Sequence, residues 1–273
     1  MALKINVEDR VPTYPGRVKL TPVQGEANTY DMVRADLPLN PGTPVNKVLF
    51  DSKADRVTED VTVYVSSGGN DVTGTGDVSY PFKTIQAAID AIPKNLDGHT
   101  VTIQMDQAVY TEHIVCRGFS GGKLVIGIPS VRSSIEGGVE IDNCSVVELN
   151  LSTISKGDAT TGAALLNVTN GSIVIVPYDL VVNASGENFS GVQASYGSVI
   201  SFGYNYTLTV HNCNSGAVVA TSSGRISLST VRGNGNMLGL VATMGGTITH
   251  GNATYLNSDF GENEQDGGRI FTN

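Results

Sequence analysis

Glu140 and Asp142 lie two residues apart in the alternating stretch Val139–Glu140–Ile141–Asp142. Residues i and i+2 of a strand share a face, so these carboxylates point the same way. Glu136 and Glu148 are close by in sequence. Such a pair suits work on a glycosidic bond, one group donating a proton while the other acts as base or nucleophile. The competing reading is a solvated acidic strand face, which a chain of formal net charge -9 displays readily. Glu140 and Asp142 are therefore candidates only, and no catalytic set is assigned.

Phe202, Tyr204 and Tyr206 alternate near Tyr196 and read as one strand face. These four are the candidate glycan-binding residues, since tyrosine rings stack on sugar faces. An inter-subunit or internal aromatic stack ranks ahead of that reading, because the chain has no Trp and only 6% aromatic residues. Gly118–Phe119–Ser120–Gly121–Gly122 spells the G-x-S-x-G string, but that motif needs a helix after the serine. Here Lys123–Ile128 reads as a strand, so a plain glycine turn is favoured. His99, His113, His211 and His250 show no metal-ligand spacing, and Asp71 and Asp77 do not match a calcium loop. Neither a metal nor a cofactor is expected.

Composition narrows the classes further. The acidic balance and pI near 4.8 argue against a nucleic-acid partner. Cys116, Cys144 and Cys213 are too widely spaced for a zinc site or a disulfide framework and read as buried thiols. The charged stretch from Lys4 to Arg10 does not look like a secretory signal, and no apolar run is long enough to span a bilayer.

The elements that would position these residues are mostly short strands. Residues 1–56 hold Pro12, Pro15, Pro22, Pro38, Pro41 and Pro44 and read as an extended, turn-rich arm. A short strand over Gly16–Leu20 and a short helix opening in Thr43–Phe50 are the elements expected there. Val61, Val63 and Val65 alternate as a strand. A helix is predicted from Pro81, in its first turn, to Ile92, with Phe82, Ile85, Ala88, Ile89 and Ile92 on one face. Short strands follow around Val101–Met105, Leu124–Ile128 and Val147–Leu151.

A turn then recurs: Asn170–Gly171–Ser172–Ile173, Tyr196–Gly197–Ser198–Val199, Ser223–Gly224–Arg225–Ile226 and Gly245–Gly246–Thr247–Ile248, each preceded by a small apolar strand. The glycines step by 26 (197 − 171), 27 (224 − 197) and 22 (246 − 224) residues. Units of this length cannot bury an apolar face alone, but stacked about 4.8 Å apart they share one core. The prediction is a mainly β protein: a right-handed parallel β-helix over 57–260, its N-terminal opening capped by the helix. The arm over 1–56 and a tail over 261–273 complete it. An antiparallel sandwich is the alternative, and its hairpins would recur at roughly half this spacing.

Val63–Asp71 together with Tyr80–Ile89 resembles the start of pectate-lyase-like right-handed β-helices found in many bacteriophage tail proteins. The likeness extends as a pattern over residues 61–260, with its motif core in those two stretches. Gly16–Leu20, Asp36–Pro38 and Gly42–Lys47 resemble the attachment segment of fibre or baseplate proteins, which singles out Val18, Leu20, Asp36, Pro38, Thr43, Pro44, Asn46 and Lys47. Gly267–Phe271 is similar to the close of such chains. The resemblance implies a homotrimeric virion-tail component, made in the bacterial host cytoplasm and docked through its arm on other tail proteins. A spike that binds host surface polysaccharide is the alternative. An enzyme, either a polysaccharide lyase or a glycoside hydrolase, ranks below both.

Overall fold

In the computed structural model the described residues are 56–157, 164–186, 188–255 and 260–272, with four short strands nearer the N-terminus. The chain divides into two units, 1–49 and 50–273. In the first, strand Val18–Pro22 pairs antiparallel with Tyr30–Arg34, and Val11–Pro12 pairs with Pro38–Asn40. Val18 and Leu20 stand opposite Arg34 and Met32, and Pro38 stands opposite Pro12. Asp36, Thr43, Pro44, Asn46 and Lys47, with the short helix expected there, lie outside the described residues.

The second unit is a parallel β-helix, and the sandwich alternative is excluded because all its named strands pair in parallel. Each coil contributes a strand to each of three faces. Val146–Leu149, Thr153–Ser155 and Ala164–Thr169 are one such set, on the first, second and third face in turn. The third face is a sheet of seven strands, from Ile114–Arg117 to Phe260–Glu264. The first and second faces join into one sheet because Arg225–Asn234 and Thr247–Tyr255 run from one to the other without a break. The ladder continues past residue 260, where the sequence pattern ends: Phe260–Glu264 pairs with Leu238–Ala242, and Arg269–Thr272 pairs with Thr247–His250.

Alternation explains the core. On the first face Val101, Leu124, Val147, Val174, Ile200, Ile226, Ile248 and Ile270 align in one inward column. Those from Val101 to Ile248 are fully or almost fully buried, and each such side chain is worth about 1.5–3 kcal/mol of transfer free energy. On the third face the column Val139, Leu166, Val192, Val218, Leu240 ends in Glu262, and Ile141, Val168, Ala194, Ala220, Ala242 ends in Glu264. Carboxylates thus take over core columns at the last coil. There Glu262 Oε1 lies 3.2 Å from Nε2 of the buried His250.

Helix α1 spans Ile85–Ala91, later than predicted. Pro81 is not in its first turn, because Phe82 N–H donates to Tyr64 O and Phe82 O accepts from Ser66 N–H, which holds that residue extended. Thr84 is the N-cap, its hydroxyl accepting from Ala87 N–H at 3.2 Å. Ile85, Ala88 and Ile89 are buried, and the helix packs on Val61–Val65, Thr100–Met105 and Ile114–Arg117.

The turn from third to first face is the repeat that the sequence displays. Its two central residues both have positive φ: Asn170 and Gly171, Tyr196 and Gly197, Ser222 and Ser223, Met244 and Gly245, Asp266 and Gly267. Two consecutive left-handed residues make a type I′ turn. The register gives steps of 26 (199 − 173), 26 (225 − 199), 22 (247 − 225) and 22 (269 − 247) residues. The step of 27 arose from equating Gly197, the second turn residue, with Gly224, which is the third position of its turn.

Candidate functional site

The third face brings the candidate carboxylates together with residues the sequence pattern did not single out. Strand Val139–Asp142 lies between Ile114–Arg117 and Ala164–Thr169, which places Asp142 beside Arg117 and Glu140 beside Asn167. Arg117 Nη2 donates to Glu140 Oε1 at 2.6 Å, and its Nε donates to Asp142 Oδ2 at 2.9 Å. Asn170 Nδ2 donates to the other Asp142 oxygen at 2.6 Å. These bonds, with the adjacent negative charge, hold the guanidinium above its ordinary pKa. One cation therefore clamps two carboxylates across a coil boundary.

His113 completes the cluster. Its Nδ1 is 3.0 Å from Gly137 O, an acceptor, so Nδ1 carries a proton. Nε2 lies 3.9 Å from Glu140 Oε2, within ion-pair range but too far for a hydrogen bond. It is buried without a hydrogen-bond partner, as is Asn167 Oδ1. In chemical terms the site offers two carboxylates clamped by one guanidinium, with the His113 imidazole 3.9 Å from the free oxygen of Glu140. Alternation made the carboxylates legible. Arg117, His113 and Asn167 escaped because they lie on other coils, and only register reveals them.

A second cluster forms where the first face turns into the second. Tyr178 and Tyr206 meet edge to face at 5.3 Å between centroids. The Arg132 guanidinium lies 5.5 Å from the Tyr178 ring centre, and its Nη1 donates to Asp179 O at 2.9 Å. Tyr204, 85% exposed, stands at the turn between Val199–Phe202 and Thr207–His211. The expected aromatic face is not formed as such. Phe202 is buried, because it ends its strand at an inward position, and Tyr196 lies in the turn before that strand. Tyr178, Arg132 and Asp179 join Tyr206 instead.

The other polar residues singled out in the sequence lie in turns and loops. Ser120 is exposed and bridges in parallel to Asn95, its N–H donating to Lys94 O at 2.8 Å, and strand Lys123–Ile126 follows it. Asp71 accepts from Lys83 N–H, Thr84 N–H and the Thr84 hydroxyl at 2.7–3.0 Å. Asp77 accepts from the Thr75 hydroxyl. All three cysteines are buried and free, and burial pushes their thiols up, Cys213 to about 12. Among the described residues no group of three or more His, Cys, Asp or Glu is placed to hold a metal ion, and no helix is long and apolar enough to cross a membrane.

The sequence matches no protein-family model, no curated protein and no solved structure, so the reading of these surfaces rests on their geometry.

Proposed function

We propose that the chain is a structural component of a bacteriophage or phage-like tail, in which the β-helix is one protomer of a homotrimeric fibre or spike. The N-terminal arm attaches it to other tail proteins, and the body projects toward the host surface. The observation that carries this reading is on the outward side of the first face. Ile175 lies beside Glu148 in one outward column, and Ile173 pairs with Val199 in the next. Ile173 is 40% exposed, although outward positions of a solitary solenoid should be polar. A second copy of the chain is the natural cover. Identical solenoids carry identical ridges about 4.8 Å apart, and a rotation that brings three such faces together closes the assembly.

Light scattering on the full chain tests this reading. The expected result is a trimer that the double substitution Ile173→Glu, Val199→Glu converts to a folded monomer. A wild-type monomer overturns it.

The aromatic corner supports a second reading, recognition of a host glycan. Tyr204 is exposed, and two residues on Tyr206 packs edge to face on Tyr178, over whose ring Arg132 lies; exposed tyrosine and guanidinium groups are suited to stacking sugars and donating to their oxygens. Binding to host surface polysaccharide that Tyr204→Ala weakens at least tenfold, about 1.4 kcal/mol, is the expected result. No binding by the wild type removes this reading and leaves the first intact.

A further inference from the structure

We infer that the glycan of the second reading is acidic, and that Arg132 and Arg232 hold anionic groups of a linear polysaccharide on either side of Tyr206. The inference rests on the glycan reading and names the chemical class of its ligand. Two independent observations carry it: the distribution of charge along the chain, and the placement of the two arginines.

Residues 188–258 contain no Asp or Glu, although the whole chain has 26 and a formal net charge of -9. Their only Lys or Arg residues are Arg225 and Arg232. The carboxylates that repel a polyanion are thus concentrated on the earlier coils and the last one, and the stretch with Tyr204 and Tyr206 is spared. A carboxylate does border the corner on Asp179, where its Oδ1 accepts from the Thr207 N–H at 2.6 Å and so faces the backbone.

Arg132 is fixed by two contacts. Its Nη1 donates to Asp179 O at 2.9 Å, and its guanidinium lies 5.5 Å from the Tyr178 ring centre. The group carries five N–H donors in one plane, of which that carbonyl takes one. Arg232 is exposed on the second face, in the column Val181, Thr209, Arg232. It stands two coils beyond Val181, roughly 10 Å at 4.8 Å per coil. Tyr206, packed on Tyr178, belongs to the coil between. One sugar does not span that distance, whereas successive units of a polymer do. A guanidinium meets a carboxylate, sulfate or phosphate through two parallel N–H bonds, which favours anionic sugars over neutral ones.

The test is binding of the full-length protein to immobilised alginate, dextran sulfate and dextran, which carry carboxylates, sulfates and no charge. One of the charged polymers should bind at least tenfold more tightly than dextran, about 1.4 kcal/mol, and the preferred one identifies the anion. Its affinity should fall as salt rises from about 0.1 to 1 M. Arg132→Gln and Arg232→Gln should each weaken that binding at least tenfold. Lys83→Gln, which removes the same charge from an exposed position before helix α1, should leave it unchanged. Dextran bound as tightly as the charged polymers, no binding to either charged polymer, or equal losses in all three variants overturns the inference. Host polysaccharide that the wild type binds and Tyr204→Ala weakens, with no response to salt or to either arginine substitution, overturns the acidic assignment alone and leaves the glycan reading standing.

Discussion

Between Val65 and Arg117 the β-helix is secured by side-chain ties, each of its own kind and used in one place, whereas from Thr169 to Gly268 it is secured by one backbone turn used repeatedly. In the first region Glu112 accepts from Ile85 N–H and Gln86 N–H at 2.8 and 2.9 Å, tying helix α1 to the first coil. Asp106 gathers the Tyr110 hydroxyl, the Ser66 hydroxyl and both donors of Ser67. In the second region the third residue of each turn donates its N–H back to the residue before the turn, as from Gly224 to Thr221 O and from Gly246 to Thr243 O, both at 2.8 Å. Side-chain ties adapt to an irregular end. A repeated turn needs the same backbone at every step, and so demands particular residues.

That demand should produce the largest effects. A Cβ on Gly246 would lie 2.1 Å from Ala220 O and 2.4 Å from its carbonyl carbon, so the coil below must move to admit it. Gly246→Ala should cost about 3 kcal/mol, read as a lower denaturant midpoint. Gly171 has open space around its missing Cβ and only a positive φ of 74° to maintain. Gly171→Ala should therefore cost about 1–2 kcal/mol. Equal costs would mean that coil contact is not what requires glycine at the third position.

Glu112→Ala, in the other region, is the next largest. It strips two charge-assisted bonds from the helix N-terminus and should destabilise by about 2 kcal/mol, with faster hydrogen exchange at Ile85 and Gln86. If exchange there is unchanged, the side-chain tie does not hold the helix.

The same region should show opposed pH responses. Hydrogen bonds from Tyr110, Ser66 and Ser67 outweigh burial and hold the Asp106 carboxyl below its ordinary value. A depressed carboxylate contributes stability that is present above the unfolded pKa, near 3.8, and lost as pH falls through the folded one. Burial pushes Glu112 up despite its two backbone donors. Its contribution runs the other way, growing as pH falls through the raised folded value and complete below the unfolded one. Asp106→Asn should flatten the loss of stability on acidification, and Glu112→Gln should steepen it. Denaturant midpoints measured from neutral to acid pH check both signs.

The same contrast explains what the sequence discloses. The late coils are legible because four of their five type I′ turns carry Gly at the second central position, and because inward aliphatics alternate. The change of step from 26 to 22 was less clear, since the shorter coils drop the break between first and second faces, and the turns change their third residue from Ser172 and Ser198 to Gly224, Gly246 and Gly268. Ser172 is buried and bonds Thr169 O and Cys144 N–H. Helix α1 was recognisable by its period, but its start depended on Phe82 being claimed by Tyr64 and Ser66, contacts without a local signal. The candidate sites divide likewise. Glu140 and Asp142 are two apart on one strand and could be paired by alternation. Arg117 and His113 become their neighbours, and Arg132 and Tyr178 gather at Tyr206, only through register across coils of unequal length.

The smallest expected effect lies between the two regions, at the clamp of Arg117 on Glu140 and Asp142. Arg117 is 62% exposed, so its ion pairs are screened and should contribute no more than about 1 kcal/mol. Its removal also leaves Glu140 and Asp142, at 22% and 17% exposure, repelling each other on one strand. Arg117→Met keeps an aliphatic stem over the coil boundary and removes only the charge. Its cost should be measurable at low salt and vanish near 1 M, where the screening length falls to about 3 Å. Gly246→Ala should cost the same at both salt concentrations, since a steric clash is not screened. A cost at Arg117 that survives high salt would show that the guanidinium holds the coils by hydrogen bonding to half-buried oxygens. The clamp would then belong with the side-chain ties of the first region rather than with surface electrostatics.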